Sequence, residues 1–266
     1  MVTEMTLREH IDELRVRILR IALVVIIITI FVMTFDLRPT QINSIPFVYP
    51  YPDPLHNLSI RLTFYMQETL LPEGVSLIQT APGQAFFSQI YFSMLVGLTI
   101  SIPFTVREIS AFISPAISSK TRTGLVKVFL PSVALFIVGI AFCYVLVISY
   151  VLGFLYQYGE ALNADTFFTI NNFISFVLQF LLGFGIAFQL PILMYGISLT
   201  DITPPKFWRK NFRYAALIMV IFGALITPDG SGLTLWLIAV PMMLLYLAGM
   251  LVVERRAARA VLKTNT

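Results

Sequence analysis

Chemistry in this chain would have to come from a small set of side chains. The densest group is the stretch HIDELRVRIL, which begins at His10 and sets Asp12, Glu13, Arg15 and Arg17 against the start of a long apolar run. Glu13 lies four residues from both Glu9 and Arg17, so on a helix all three share one face. Arginines alone would hold an apolar helix to a lipid surface. A carboxylate at the same place adds an acceptor for the two prongs of a guanidinium, a pairing that lysine does not reproduce. An acid beside an apolar wall is therefore a candidate receptor for a cation that arrives with an apolar segment. The plainer reading is a solvated Glu13–Arg17 ion pair worth about 0.3–0.5 kcal/mol.

Other chemistries find little material. His10 and His56 are separated by an apolar run and are expected on opposite faces of a membrane, so they cannot share a metal. The single cysteine, Cys143, sits in an apolar run, which excludes an internal disulfide and a cysteine metal site. There is no P-loop, no H-E-x-x-H zinc motif and no G-x-S-x-G elbow. No cofactor, metal or nucleic-acid partner is expected, and no enzyme activity.

The elements that must position these residues are membrane spans. The 266 residues are 58% hydrophobic and only 12% charged, against about 25% charged in soluble domains. Apolar runs near twenty residues recur, which reads as one polytopic all-α membrane domain covering residues 1–266. Thr6-Leu7-Arg8-Glu9 has the capping-box pattern, so a helix should start near Leu7 and run into the first span. That run is too long for a signal-peptide core and is read as a retained span. Spans are expected at about 18–35, 84–104, 126–152, 172–197, 214–227 and 233–253.

A long first external loop, 36–80, separates the first two spans. Its prolines should keep its first half extended, and residues 56–71 could form an amphipathic helix on the membrane surface. The fifth span is short: Tyr214 to Thr227 covers only about 21 Å, against an apolar bilayer core of about 30 Å. Pro241 should kink the sixth.

Six spans put both termini on one side. Arg8, Arg15, Arg17 and Arg20 precede the first span, and Arg107, Lys120, Arg122 and Lys127 lie between the second and third. Lys206, Arg209, Lys210 and Arg213 lie between the fourth and fifth, and Arg255, Arg256, Arg259 and Lys263 follow the sixth. That is 16 of the 18 basic residues, leaving Arg38 and Arg61, so this face and both termini are expected in the cytoplasm. No Asp, Glu, Lys, Arg or His falls well inside a span. Ion-coupled transport and intramembrane proteolysis both need such groups.

These segments resemble the TatC family, the large polytopic subunit of the twin-arginine protein translocase, from about Leu7 to Glu254. HIDELRVRIL is similar to the family's H-x-x-E-L-R-x-R motif, and AFISPAI to its first cytoplasmic loop. GFGIAFQLPILM resembles its fourth span, and RKNFRYAALIMVIFGALITPD its fifth with the turn that follows. The resemblance implies a cupped bundle of six transmembrane helices. It implies a receptor for twin-arginine signal peptides on folded cargo, assembling with TatA- or TatB-type single-span proteins for export driven by the proton-motive force. It further implies a homo-oligomer within a larger complex, embedded in the lipid of the plasma membrane of a bacterium or archaeon. The alternatives from other classes are a small-molecule secondary transporter and a membrane scaffold without transport.

Four family carboxylates have no counterpart at their usual places. Thr121, followed by Arg122, stands where the first cytoplasmic loop usually has Glu, and Gln189 where the fourth span does. Leu247 follows Tyr246 where the sixth span often has Glu, and Pro82-Gly83-Gln84-Ala85-Phe86-Phe87 lacks the acid before the second. The chain is thus a divergent member. Carried over residue by residue, the signal-peptide site would draw on Glu13, Arg15, Arg17, Phe112, Pro115 and Arg122. Arg15 and Arg17 have lipid headgroups as alternative partners, and Phe112 and Pro115 have a simple turn. Glu108 either replaces the missing loop carboxylate or pairs with its neighbour Arg107. Gln189 and Asp229 match positions that meet partner helices. Their alternatives are an interhelical hydrogen bond and a turn.

Overall fold

The computed structural model describes residues 7–42, 45–72, 75–113, 119–162, 167–199, 203–204, 206–227 and 232–264. Its contacts divide the chain into two compact units, residues 1–108 with 148–178 and residues 109–147 with 179–266. Five helices are long and apolar enough to cross a membrane, and a sixth, shorter apolar helix spans Phe212–Ile226. Each of the six expected spans therefore has a helical counterpart, as a six-helix membrane bundle requires.

In the first unit, α1 spans Leu7–Thr34, and the capping residue Thr6 lies outside the described residues. It leads into β1 (Phe35–Ile42), which pairs antiparallel with β2 (Ile45–Pro52), Phe35 opposite Pro52 and Ile42 opposite Ile45. The proline-rich stretch is thus a paired hairpin and not merely an extended run. Pro39, Pro46, Pro50 and Pro52 all fall on alternate pairs of this ladder. On one class of alternate pairs the N–H groups point away from the partner strand, and there a proline removes no ladder bond.

Polar joints fasten the hairpin to its surroundings. The Asp53 N–H donates to the Thr34 carbonyl at 2.9 Å. Asp36, 7% exposed, accepts from Arg61 at 3.0 Å and from Arg38 at 3.5 Å, and Arg38 also reaches Asp53 at 2.7 Å. The Arg61 hydrogen bond holds the Asp36 carboxyl below the usual carboxylate range, against the opposing effect of burial. Asn57 caps α2 (Leu58–Leu70) by accepting from the Ile60 N–H at 2.9 Å. Its amide donates to the Met33 carbonyl at 2.7 Å, one of the carbonyls that the end of α1 leaves open. Residues Ser59, Thr63, Met66 and Leu70 make the buried stripe of α2.

A short parallel pair, β3 (Ser76–Ile78) with β4 (Phe167–Thr169), ties the two long connections together. α3 (Gln84–Ile113) runs nine residues past the expected end of the second span at 104. Glu108 and Phe112, expected in a loop, are therefore helical. Residues 114–118, Pro115 among them, lie outside the described residues. α4 (Ser119–Phe142), a π-helical turn (Cys143–Ile148) and α5 (Ser149–Ala161) follow as one helical run.

In the second unit the expected fourth span is interrupted. α6 (Ile170–Ala187) ends, Phe188 and Gln189 form a turn, and α7 (Leu190–Leu199) resumes. Pro191 explains the break, because it has no N–H to give the carbonyl four residues back and its ring would clash there. The Gln189 N–H bonds instead to the Ile186 carbonyl at 2.9 Å. α8 (Phe207–Lys210) and α9 (Phe212–Ile226) precede α10 (Gly232–Thr264), which packs on α7 and α9 and carries Pro241 within one helix. Its cytoplasm-predicted end is fastened by Glu254 to Arg209 at 2.6 and 2.8 Å and by Arg256 to the Ser198 carbonyl at 2.9 Å.

Candidate functional site

Two helices of the first unit build the charged cluster. Glu13 and Arg17 sit one turn apart on α1, and Glu108 comes from the late turns of α3. Arg17 donates from Nε at 3.0 Å and from Nη2 at 2.5 Å to Glu13 Oε1, and from Nη1 at 3.0 Å to Glu108 Oε2. One guanidinium is thus shared by two carboxylates. Arg20 adds a second cation 3.9 Å from Glu108. Glu108 is 4% exposed, and a carboxylate so buried stays charged only when paired.

Glu13 Oε2 is different. It is buried and accepts no hydrogen bond among the described residues, and His10 Nδ1 stands 3.9 Å away. Unsatisfied buried carboxylate oxygens are costly in a finished structure. This one offers an acceptor to a further donor, and a guanidinium is the donor best matched to it.

The remaining candidates are placed as follows. Arg15 is exposed and makes no ion pair among the described residues. Phe112 is half-buried one residue from the end of α3, in the second unit. Arg122 lies on α4 with its side chain outside the described residues, and Pro115 and Asp229 lie wholly outside them. Glu108 pairs with Arg17, not with Arg107, which is exposed and lies 5.9 Å from the Phe104 ring.

Gln189 belongs to a second polar point. The turn before Pro191 presents its amide to Ser132 on α4. Oε1 accepts from the Ser132 hydroxyl at 2.5 Å, and Nε2 donates to the Ser132 carbonyl at 3.1 Å. Ser132 was not singled out from the sequence, although a hydroxyl next to Pro131 in an apolar run was a usable signal. Around this point the helices approach closely. A Cβ on Gly139 would lie 2.7 Å from Phe188 Cγ and 3.0 Å from the Phe184 carbonyl. Phe142 completes an aromatic group with Phe184 and Phe188 at centroid distances of 5.9 and 5.7 Å.

Comparison with known proteins gives a consistent picture. The profile of the family described as "Sec-independent protein translocase protein (TatC)" matches residues 9–241. The chain is 49% identical over 256 residues to the Sec-independent protein translocase protein TatC of Cenarchaeum symbiosum (strain A), covering 96% of this chain and 97% of that one. It is 30% identical to the protein of the same name from Aquifex aeolicus (strain VF5), covering 91% and 92%. Among solved structures, a crystal structure of the twin-arginine translocase receptor TatC aligns with a TM-score of 0.75 at 27% identity, over 94% of this chain and all of that one.

Proposed function

We propose that this chain, which belongs to the TatC family of Sec-independent protein translocase proteins, is the receptor subunit that binds twin-arginine signal peptides of folded cargo. The observation that carries the reading is the buried, unpaired Glu13 Oε2 beside a guanidinium shared with Glu108. An incoming guanidinium would use the free oxygen of Glu13, while Arg17 keeps Glu13 and Glu108 from repelling each other. Glu108 thereby takes over from the loop carboxylate that Thr121 does not supply. Phe112, Pro115 and Arg122 are assigned to signal-peptide binding on the family resemblance alone.

The receptor makes and breaks no covalent bond. It assembles, as a homo-oligomer within a larger complex, with TatA- or TatB-type single-span subunits, and the proton-motive force drives export. Gln189 and Asp229 serve the partner helices. The chain acts as one polytopic domain in the plasma membrane of an archaeon or bacterium, with both termini in the cytoplasm, as the placement of 16 of 18 basic residues favours.

The test is a comparison of two peptides. Protein in nanodiscs is titrated with a fluorescent twin-arginine signal peptide and with its Lys-Lys version. The twin-arginine peptide should bind at least about tenfold more tightly, as expected when a hydrogen-bonded charged pair is lost. Equal affinities would remove guanidinium recognition from the account.

A further inference from the structure

Between α1 and α3, beyond the charged cluster that the same two helices build, lies a groove of about 480 Å³. Ile18, Ala22, Ile26 and Ile30 of α1 and Met94 and Leu98 of α3 line it. Its one hydroxyl, that of Thr29, is already donated to the Val25 carbonyl at 2.8 Å, so the groove offers an occupant no polar partner. At about 100° per residue, the middle of the groove-facing stripe of α1 continues below Ile18 through Arg15, Ile11 and Arg8, while Arg17, one turn below Ile21, borders it and Glu13 and Arg20 lie on the far side of the helix. Both Arg8 and Arg15 are exposed, and neither forms an ion pair among the described residues.

We propose that this groove binds one anionic phospholipid, with an acyl chain against α1 and α3 and its phosphate at Arg15 and Arg8. Length and charge select this occupant. From Ile18 to Ile30 the groove follows α1 for about 18 Å, close to one leaflet, half of an apolar core of about 30 Å. A partner transmembrane helix would need the full thickness. A twin-arginine segment would meet two arginines that form no ion pair among the described residues and be repelled, whereas a headgroup phosphate is drawn to the same pair. The site shares no residue with the Glu13–Arg17–Glu108 cluster, and Arg15, which the family resemblance carried to the signal-peptide site, is assigned here to the phosphate.

Native mass spectrometry of the protein released from nanodiscs of equal phosphatidylglycerol and phosphatidylcholine tests this. One phosphatidylglycerol should be retained in preference to phosphatidylcholine. Arg15→Gln should cut that preference about fivefold, and Arg8→Gln with Arg15→Gln about thirtyfold, at roughly one surface cation's contribution each. Ala22→Phe, which fills the groove, should lower retention of both lipids and leave their ratio unchanged. Equal retention by the unmodified protein, or a preference that survives the double substitution, would overturn the proposal. Displacement by glycerol phosphate would reduce the site to a headgroup patch without the groove. Displacement by a twin-arginine peptide would give the groove to that peptide instead.

Discussion

Arg17 on α1 and Glu108 on α3, 91 positions apart, meet at 3.0 Å, and the same guanidinium holds Glu13. The three charges therefore act as one unit. Removing either carboxylate leaves Arg17 short of a partner, so their contributions to stability should not add. In a double-mutant cycle of Glu13→Gln and Glu108→Gln, unfolding in detergent should give a coupling of about 0.5–3 kcal/mol. Additive effects would mean that Arg17 does not link them.

Gln189 and Ser132 should be coupled in the same sense but more weakly. Gln189→Leu leaves the Ser132 hydroxyl and carbonyl without their side-chain partner. Interhelical hydrogen bonds in membranes average about 0.6 kcal/mol and reach about 1.7. A cycle of Gln189→Leu with Ser132→Ala should return a coupling within that range. In transport assays, partner assembly should weaken with Gln189→Leu. No coupling, with wild-type transport, would leave Gln189 as a filler of the turn.

Close packing makes a paired prediction on two helical glycines. Gly139→Ala puts a Cβ against the Phe184 backbone and the Phe188 ring, and should destabilise by about 1–3 kcal/mol. Gly196→Ala on α7 meets nothing within 4 Å and should stabilise by up to about 1 kcal/mol through helix propensity. Thermal unfolding of the two variants in one detergent checks the contrast. A neutral Gly139→Ala would show that α4 and α6 can move apart freely.

The hairpin should loosen in acid. Asp36 has a depressed pKa in the folded protein, so its contribution is fully present above the ordinary aspartate value of about 3.9. It is lost as pH falls through the lower folded value, because the unfolded chain then binds the proton first. Hydrogen exchange, corrected for its intrinsic pH dependence, should show protection of β1 and β2 holding down to about pH 4 and falling below it. Arg61→Gln should remove much of that dependence. Protection unchanged to pH 2 would show that the Asp36–Arg61 pair does not hold the hairpin.

The sequence was most legible where signals are local. Helical spacing alone put Glu13 and Arg17 within reach of one another, and hydropathy marked the spans. It was least legible where distant segments choose partners. Nothing local could tell Glu108 that its cation is Arg17 and not the adjacent Arg107. The Asp36–Arg61 and Asn57–Met33 joints were missed for the same reason. The hairpin lies between these cases. Its four prolines share a ladder parity that is written in the sequence, but parity becomes visible only once the register is known. The break before Pro191 was readable from the proline, but apart from Gln189 the flanking residues are apolar and the hydropathy runs on through it.

The most direct test of the central claim is the affinity of Glu13→Gln for a twin-arginine signal peptide. Glutamine keeps the shape of the side chain and removes the charge that a second guanidinium would meet at Oε2. In nanodiscs, with the fold checked by its unfolding temperature, the account predicts a loss of about 10- to 150-fold, the range for a hydrogen bond to a charged group. Glu108→Gln, which frees Arg17 to cover Glu13 more fully, should weaken binding in the same direction. An unchanged affinity for Glu13→Gln in a folded protein would contradict the account and leave the cluster as a structural foot of α1.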